Sequence, residues 1–160
     1  MRGRVKKVEK ARGVFGNAME YARFGSGSRT VLAVPGGPGN TLPAGLMERM
    51  IARMFRPFLD DDYTVWIVTR RRGMPHGHTI EAMADDFAEL IGEEFGGLID
   101  VYVGISLGGA VGRAMIEAGE FIIKAFIHDG EREVDIGGTR YPADVSLWPM
   151  YYPKMERIKA

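Results

Sequence analysis

Short apolar runs recur along the chain, separated by clusters of glycine, proline and charge. The spacing alternates between the two-residue period of strands and the 3.6-residue period of helices. Residues 4–24 predict a strand pair: alternation through Arg4–Val14, a turn near Phe15-Gly16-Asn17, then Ala18–Phe24, broken by Gly25-Ser26-Gly27-Ser28. Thr30–Val34 reads as a short buried strand that runs into Pro35-Gly36-Gly37-Pro38-Gly39. Leu46, Met47, Met50, Ile51, Met54, Phe55 and Phe58 then share one helical face, which predicts a single helix with its methionines filling core. Tyr63–Thr69 is too uniformly apolar for a half-exposed strand and belongs inside a parallel sheet.

After the loop Arg70–His78, Thr79 predicts a helix N-cap, with Glu81 in the first turn and an apolar stripe at Ile80, Met83, Phe87, Leu90 and Ile91. A strand over Val101–Ile105, a helix over Leu107–Glu120 and a strand over Phe121–Ile127 complete the alternation. The fold class that follows is α/β: a mostly parallel sheet with helices on both faces, right-handed crossovers and an antiparallel N-terminal strand pair. Residues 134–141 alternate about Gly137-Gly138 and predict a hairpin, and Ser146–Pro153 is aromatic and proline-rich. One domain over residues 1–160 is expected.

Two stretches carry chemistry. Val101–Ala110 is an apolar run that breaks at Gly104-Ile105-Ser106-Leu107-Gly108, a G-x-S-x-G, and then turns helical. A nucleophile elbow needs this pattern: small residues let strand and helix close around a strained turn that leaves the serine hydroxyl exposed. In parallel sheets, sites form beyond the carboxyl ends of the strands, where loops 35–40 and 70–78 should meet the elbow. An acyl-transfer oxyanion requires two preorganised N–H donors. The amide of Leu107 would be one and that of Gly37 the other, with Gly36 and Gly37 supplying the backbone freedom such a loop needs. A plain strand-to-helix turn or a phosphate cradle stays open for the same loop, although it lacks the Gly-Lys-Ser/Thr of a P-loop and does not fit G-x-G-x-x-G.

Composition narrows the setting. Hydrophobic residues make up 46% of the 160, and the formal net charge is zero, so nothing argues for nucleic acid or an anionic membrane as partner. The charge is uneven, basic over residues 1–30 and wholly acidic over 81–100, as solvated faces on separate elements would be. With no cysteine there is no disulfide, thiol catalysis or thiolate metal site. The basic N-terminus lacks a signal peptide's apolar segment, and no run approaches the roughly 18 apolar residues of a membrane span. A cytoplasmic protein is the expectation.

Four blocks in order resemble the α/β-hydrolase superfamily, and its proline-iminopeptidase-like branch in particular. They are Pro35-Gly36-Gly37-Pro38-Gly39 for the oxyanion loop, Thr69-Arg70-Arg71-Arg72-Gly73 for the strand-end arginine–glycine turn, His78–Asp86 for the start of the next helix, and Gly104–Gly109 for the elbow. The resemblance covers residues 13–117 and leaves 118–160 as a divergent strand, hairpin and aromatic tail, so the fold it implies is a truncated hydrolase core. It implies Ser106 as nucleophile, the amides of Leu107 and Gly37 as oxyanion hole, an ester or amide substrate, no metal and no organic cofactor.

The chain also departs from the family. Pro35 stands where many relatives carry histidine, and the family's order of serine, acid and histidine is not met. The only histidine after Ser106 is His128, beside Asp129, and neighbours on an extended segment point to opposite sides. Asp129 at a strand end is a candidate acid, and His76 and His78, on the same side of the sheet as the serine, are candidate bases. A solvated role for these two histidines stays open, and a metal site on them lacks further ligands. Arg70, Arg71 and Arg72 suit either an acidic substrate or loop-bracing ion pairs. Two functions follow as expectations: a serine hydrolase of esterase or peptidase type, or a noncatalytic hydrolase-like binding or assembly module. An open sheet edge at 121–127, or the tail, predicts a homodimer or a complementing chain.

Overall fold

Alternation and buried runs become strands where the sequence places them, and the order in which they pair sets the site. The computed structural model describes residues 8–37, 40–118, 122–128, 133–136 and 139–142, the strands after residue 118 through their backbone pairing. Strands β1 (Lys10–Val14), β2 (Glu20–Phe24) and β3 (Arg29–Val34) come first, followed by helices α1 (Gly45–Met54) and α2 (Arg56–Asp60). Then come β4 (Tyr63–Val68), α3 (Ile80–Phe95), β5 (Leu98–Gly104) and α4 (Leu107–Ala118). The last strands are β6 (Ile122–His128), β7 (Glu133–Ile136) and β8 (Thr139–Pro142).

These strands form one eight-stranded sheet in the order β1-β2-β4-β3-β5-β6-β7-β8. The centre, β4-β3-β5-β6, is parallel, and the flanks are antiparallel. The α/β architecture read from the sequence is therefore the one observed. Period-two patterning serves both faces of the central strands. In β3, Leu32 and Val34 enter a cluster with Phe87, Leu90, Ile91, Tyr102, Val111 and Met115, beneath α3 and α4. Val31 and Ala33 enter a second cluster with Val65, Ile67, Val101, Val103 and Phe55, on the side of α1 and α2.

Three expectations are corrected. The helix expected over residues 46–58 is two helices, because the chain leaves helical geometry at Phe55 and restarts with Pro57 in the first turn of α2, where a missing N–H costs nothing. Its apolar stripe is not all core: Leu46, Met47 and Met50 are 74%, 54% and 40% exposed. Strand 122–128 is not a sheet edge, since β7 pairs along its outer side and β8 is outermost among the described strands. The hairpin expected about Gly137-Gly138 is present as β7 and β8, with the glycine pair itself outside the described residues. Residues 1–7, which would extend the first strand to Arg4, and the aromatic tail also lie outside them.

Thr79 caps α3 as its position suggests: its hydroxyl accepts the Ala82 amide at 3.2 Å. At the other end Gly96 closes the helix in the left-handed conformation, at φ 63°. Among the described residues no helix is long and apolar enough to cross a membrane.

Candidate active site

The parallel pairing of β3 with β4 and β5 brings the loops that follow these strands to one end of the sheet. Ser106 stands between the last residue of β5 and the first of α4, exposed, with φ +52°. A serine is seldom held in the left-handed region, at a cost on the order of 1–3 kcal/mol, and such strain persists only where the surroundings over-determine it.

The surroundings here do so through absent side chains. A Cβ on Gly104 would lie 2.5 Å from the Gly109 Cα, and one on Gly108 would lie 2.0 Å from the Val34 carbonyl oxygen. One on Gly36 would meet the Ile105 carbonyl at 2.3 Å and the Ser106 Cβ at 2.7 Å. The strand, the helix and the glycine loop thus meet backbone to backbone around the serine. The turn is further tied by Ile105 N–H donating to Val34 O (3.0 Å) and Gly109 N–H to Ser106 O (2.8 Å). From beneath, the fully buried Tyr102 hydroxyl donates to Gly108 O at 2.7 Å. Burial alone raises the Tyr102 pKa well above that of a free phenol, so it stays a neutral donor.

Leu107 opens α4, so no turn of its own helix satisfies its amide. Gly37 sits at φ +79° and follows Gly36, whose backbone approaches the serine. The structure brings Gly36 against Ser106 and Leu107, with Gly37 next in the same loop.

The glycine loop and the arginine loop clasp each other. Asn40 Nδ2 donates to the carbonyls of Arg70 (2.8 Å) and Arg71 (3.3 Å), and Arg70 Nη2 donates back to Gly37 O at 2.9 Å. The three arginines divide their roles. Arg71 pairs with Asp86 at 3.1 Å and Arg72 with Glu20 at 2.6 Å, so both brace loops. Arg70 is buried and pairs with no carboxylate among the described residues.

The histidines fare differently. His78 Nε2 donates to Asp86 Oδ2 at 2.8 Å, with both side chains nearly buried. Asp86 therefore holds His78 and Arg71 on its two oxygens, while its backbone carbonyl takes the Asn17 amide at 3.2 Å. His76 is exposed on the same loop. His128 ends β6 in register with Gly104, and Asp129 lies outside the described residues. Among the described residues no three His, Asp or Glu side chains gather as a metal site.

Sequence reasoning missed Asp86, Asn40 and the buried phenol of Tyr102. Asp86 did carry a signal: it lies three residues after Met83 and four before Leu90, on the apolar face of α3, where a carboxylate must find partners.

No family model and no curated protein matches the chain. Solved structures do. Potato (Solanum tuberosum) epoxide hydrolase I is similar at 17% identity and a TM-score of 0.58, over 79% of this chain and 42% of that one. The fold is that of an α/β-hydrolase. An esterase from Exiguobacterium antarcticum is similar at 23% identity and a TM-score of 0.55, over 74% of this chain and 45% of the esterase. Homoserine O-acetyltransferase from Staphylococcus aureus follows at 15% identity and a TM-score of 0.55, over 76% and 46%. The chain thus spans less than half the length of the α/β-hydrolase-fold proteins it resembles, and these neighbours show no preference for the proline-iminopeptidase branch.

Proposed function

We propose that the chain is a serine hydrolase of esterase or peptidase type, in which Ser106 attacks an ester or amide carbonyl. The observation that carries this reading is the left-handed Ser106, exposed at φ +52° in a turn whose neighbours have no room for a side chain at 36, 104 or 108. A buried serine in a relaxed loop would need none of that.

In the mechanism that follows, the Ser106 hydroxyl oxygen bonds to the carbonyl carbon as its proton passes to a base. The amides of Leu107 and Gly37 receive the negative charge that forms on the carbonyl oxygen, a contribution worth roughly 3–4 kcal/mol per donor at such sites. Arg70 and Asn40 keep the Gly37 loop in place, so the donors need not reorganise during the reaction. Collapse of the intermediate expels the alcohol or amine, which takes up the proton, and water then releases the acyl group by the same route.

The base is the distinguishing question. His78 is engaged by Asp86, a pair that orients an imidazole yet also anchors the loop. This engagement favours a second reading, a noncatalytic module that keeps the pocket for binding or assembly. Hydrolysis of short p-nitrophenyl esters by wild type, Ser106→Ala and His78→Ala separates the two. The hydrolase reading expects turnover that Ser106→Ala reduces to background; His78→Ala does the same if His78 is the base. Turnover unchanged by Ser106→Ala contradicts it.

A further inference from the structure

Among the described residues, Arg70 is the one arginine of its loop whose charge has no carboxylate counterpart. It is 7% exposed, its Nη2 donates to Gly37 O at 2.9 Å, and its Nε has no hydrogen-bond partner among the described residues. Its neighbours Arg71 and Arg72 both meet carboxylates. Arg23 has the only other orphaned arginine nitrogen among the described residues, but it is paired with Glu9 at 3.6 Å and lies over the Trp66 ring. A buried guanidinium satisfied by a single carbonyl is costly, and in a folded protein such a group is normally paired.

Its position says what the pairing would serve. Through Gly37 O the guanidinium holds the residue that follows Gly36, and it is Gly36 whose backbone approaches Ser106 and Leu107. Its backbone carbonyl is pinned by Asn40, so the side chain projects from a fixed point. Arg presents its donors as a rigid fork that matches a planar carboxylate. We propose that Arg70 is the specificity-determining residue of the site and takes a carboxylate group of the substrate, so that the preferred compound is a short acyl chain ending in a negative charge. This assignment rests on the Ser106 reading for the reaction, and on Arg70 alone for the charge.

Binding of succinate to the full chain, followed by isothermal titration at fixed ionic strength, tests it. Neutral succinamide serves as the shape control and Arg72→Gln as the control for general surface charge. Arg70→Gln keeps an amide donor for Gly37 O and removes the charge, while Arg70→Lys keeps the charge and loses the fork. Wild type and Arg72→Gln should bind succinate saturably, succinamide should bind at least about tenfold more weakly, and Arg70→Gln should lose at least about tenfold, the share of one charged hydrogen bond. Arg70→Lys should fall between.

Failure to saturate with succinate, or equal affinity in Arg70→Gln, overturns the assignment. Neither result touches the reaction, because a fluorophosphonate can still acylate Ser106 in a site that ignores succinate. Arg70-dependent binding in Ser106→Ala, with no labelling of wild type, would support the anion site while removing the hydrolase.

Discussion

Helix α3 turns Ala84, Phe87, Leu90 and Ile91 into the cluster beneath one face of the sheet, where α4 adds Val111 and Met115. On the opposite face α1 buries no residue fully, and Leu46, Met47 and Met50 stand largely in solvent although their spacing marks an amphipathic helix. The difference teaches where the fold invests its order. The densely packed face is the one from which α4, and with it Ser106, is positioned. A serine held at a left-handed φ needs that rigid backing, and α1 carries no comparable duty. An apolar stripe in a sequence thus marks a face that is able to be buried, and packing decides how much of it is.

The contrast breaks most directly in the core. Phe87→Ala should cost about 3–5 kcal/mol, since a fully buried aromatic leaves a cavity that the α3–α4 layer cannot close. Leu46→Ala should stay within about 0.5 kcal/mol, as exposed substitutions do. Urea denaturation of both variants measures the pair, and similar costs would contradict the comparison.

Next in size is Asp86→Ala, which strips His78 and Arg71 of their shared acceptor. Arg71 retains partial contact with solvent, so the expected loss is about 2 kcal/mol rather than the full cost of a buried pair. Asp86→Asn should recover part of it by keeping one acceptor oxygen. An effect below about 0.5 kcal/mol would mean that the arginine loop is not held from α3.

The smallest effect lies on the other face, where Glu48 of α1 takes Lys10 at 2.9 Å and Arg12 at 2.6 Å. The hydrogen bonds from Lys10 and then Arg12 hold its carboxyl below the ordinary value of 4.5. A carboxyl lowered on folding adds stability that is present above pH 4.5 and is lost as pH falls through the lower folded value. Solvent screens a pair on this exposed face, so Glu48→Gln should cost less than about 1 kcal/mol at pH 7. The gap from wild type should narrow as pH falls below 4.5 and through the lower folded value. A pH-independent gap would show that Glu48 acts through packing.

Much of this was legible in the sequence. Gly104 and Gly108 announced the tight turn around Ser106 because the backbone contact they permit leaves no room for a Cβ. Thr79 announced its helix because a cap is a local hydrogen bond. The break at Phe55 was foreshadowed only by Pro57, whose meaning depends on whether it opens a helix or interrupts one. The roles of Arg70, Arg71 and Arg72 were illegible, since three identical side chains differ only in what a distant part of the chain places beside them: Gly37, Asp86 and Glu20. His78 was likewise ambiguous until Asp86 appeared opposite it.

The central claim is that the strained turn presents Ser106 as a nucleophile. Intact-mass measurement after treatment with a fluorophosphonate tests it most directly, because labelling requires an activated serine and no particular substrate. The account predicts one adduct per chain in wild type, mapped to Ser106 by peptide sequencing, and none in Ser106→Ala. Folded wild-type protein that takes up no label, or a label that persists in Ser106→Ala, would contradict it.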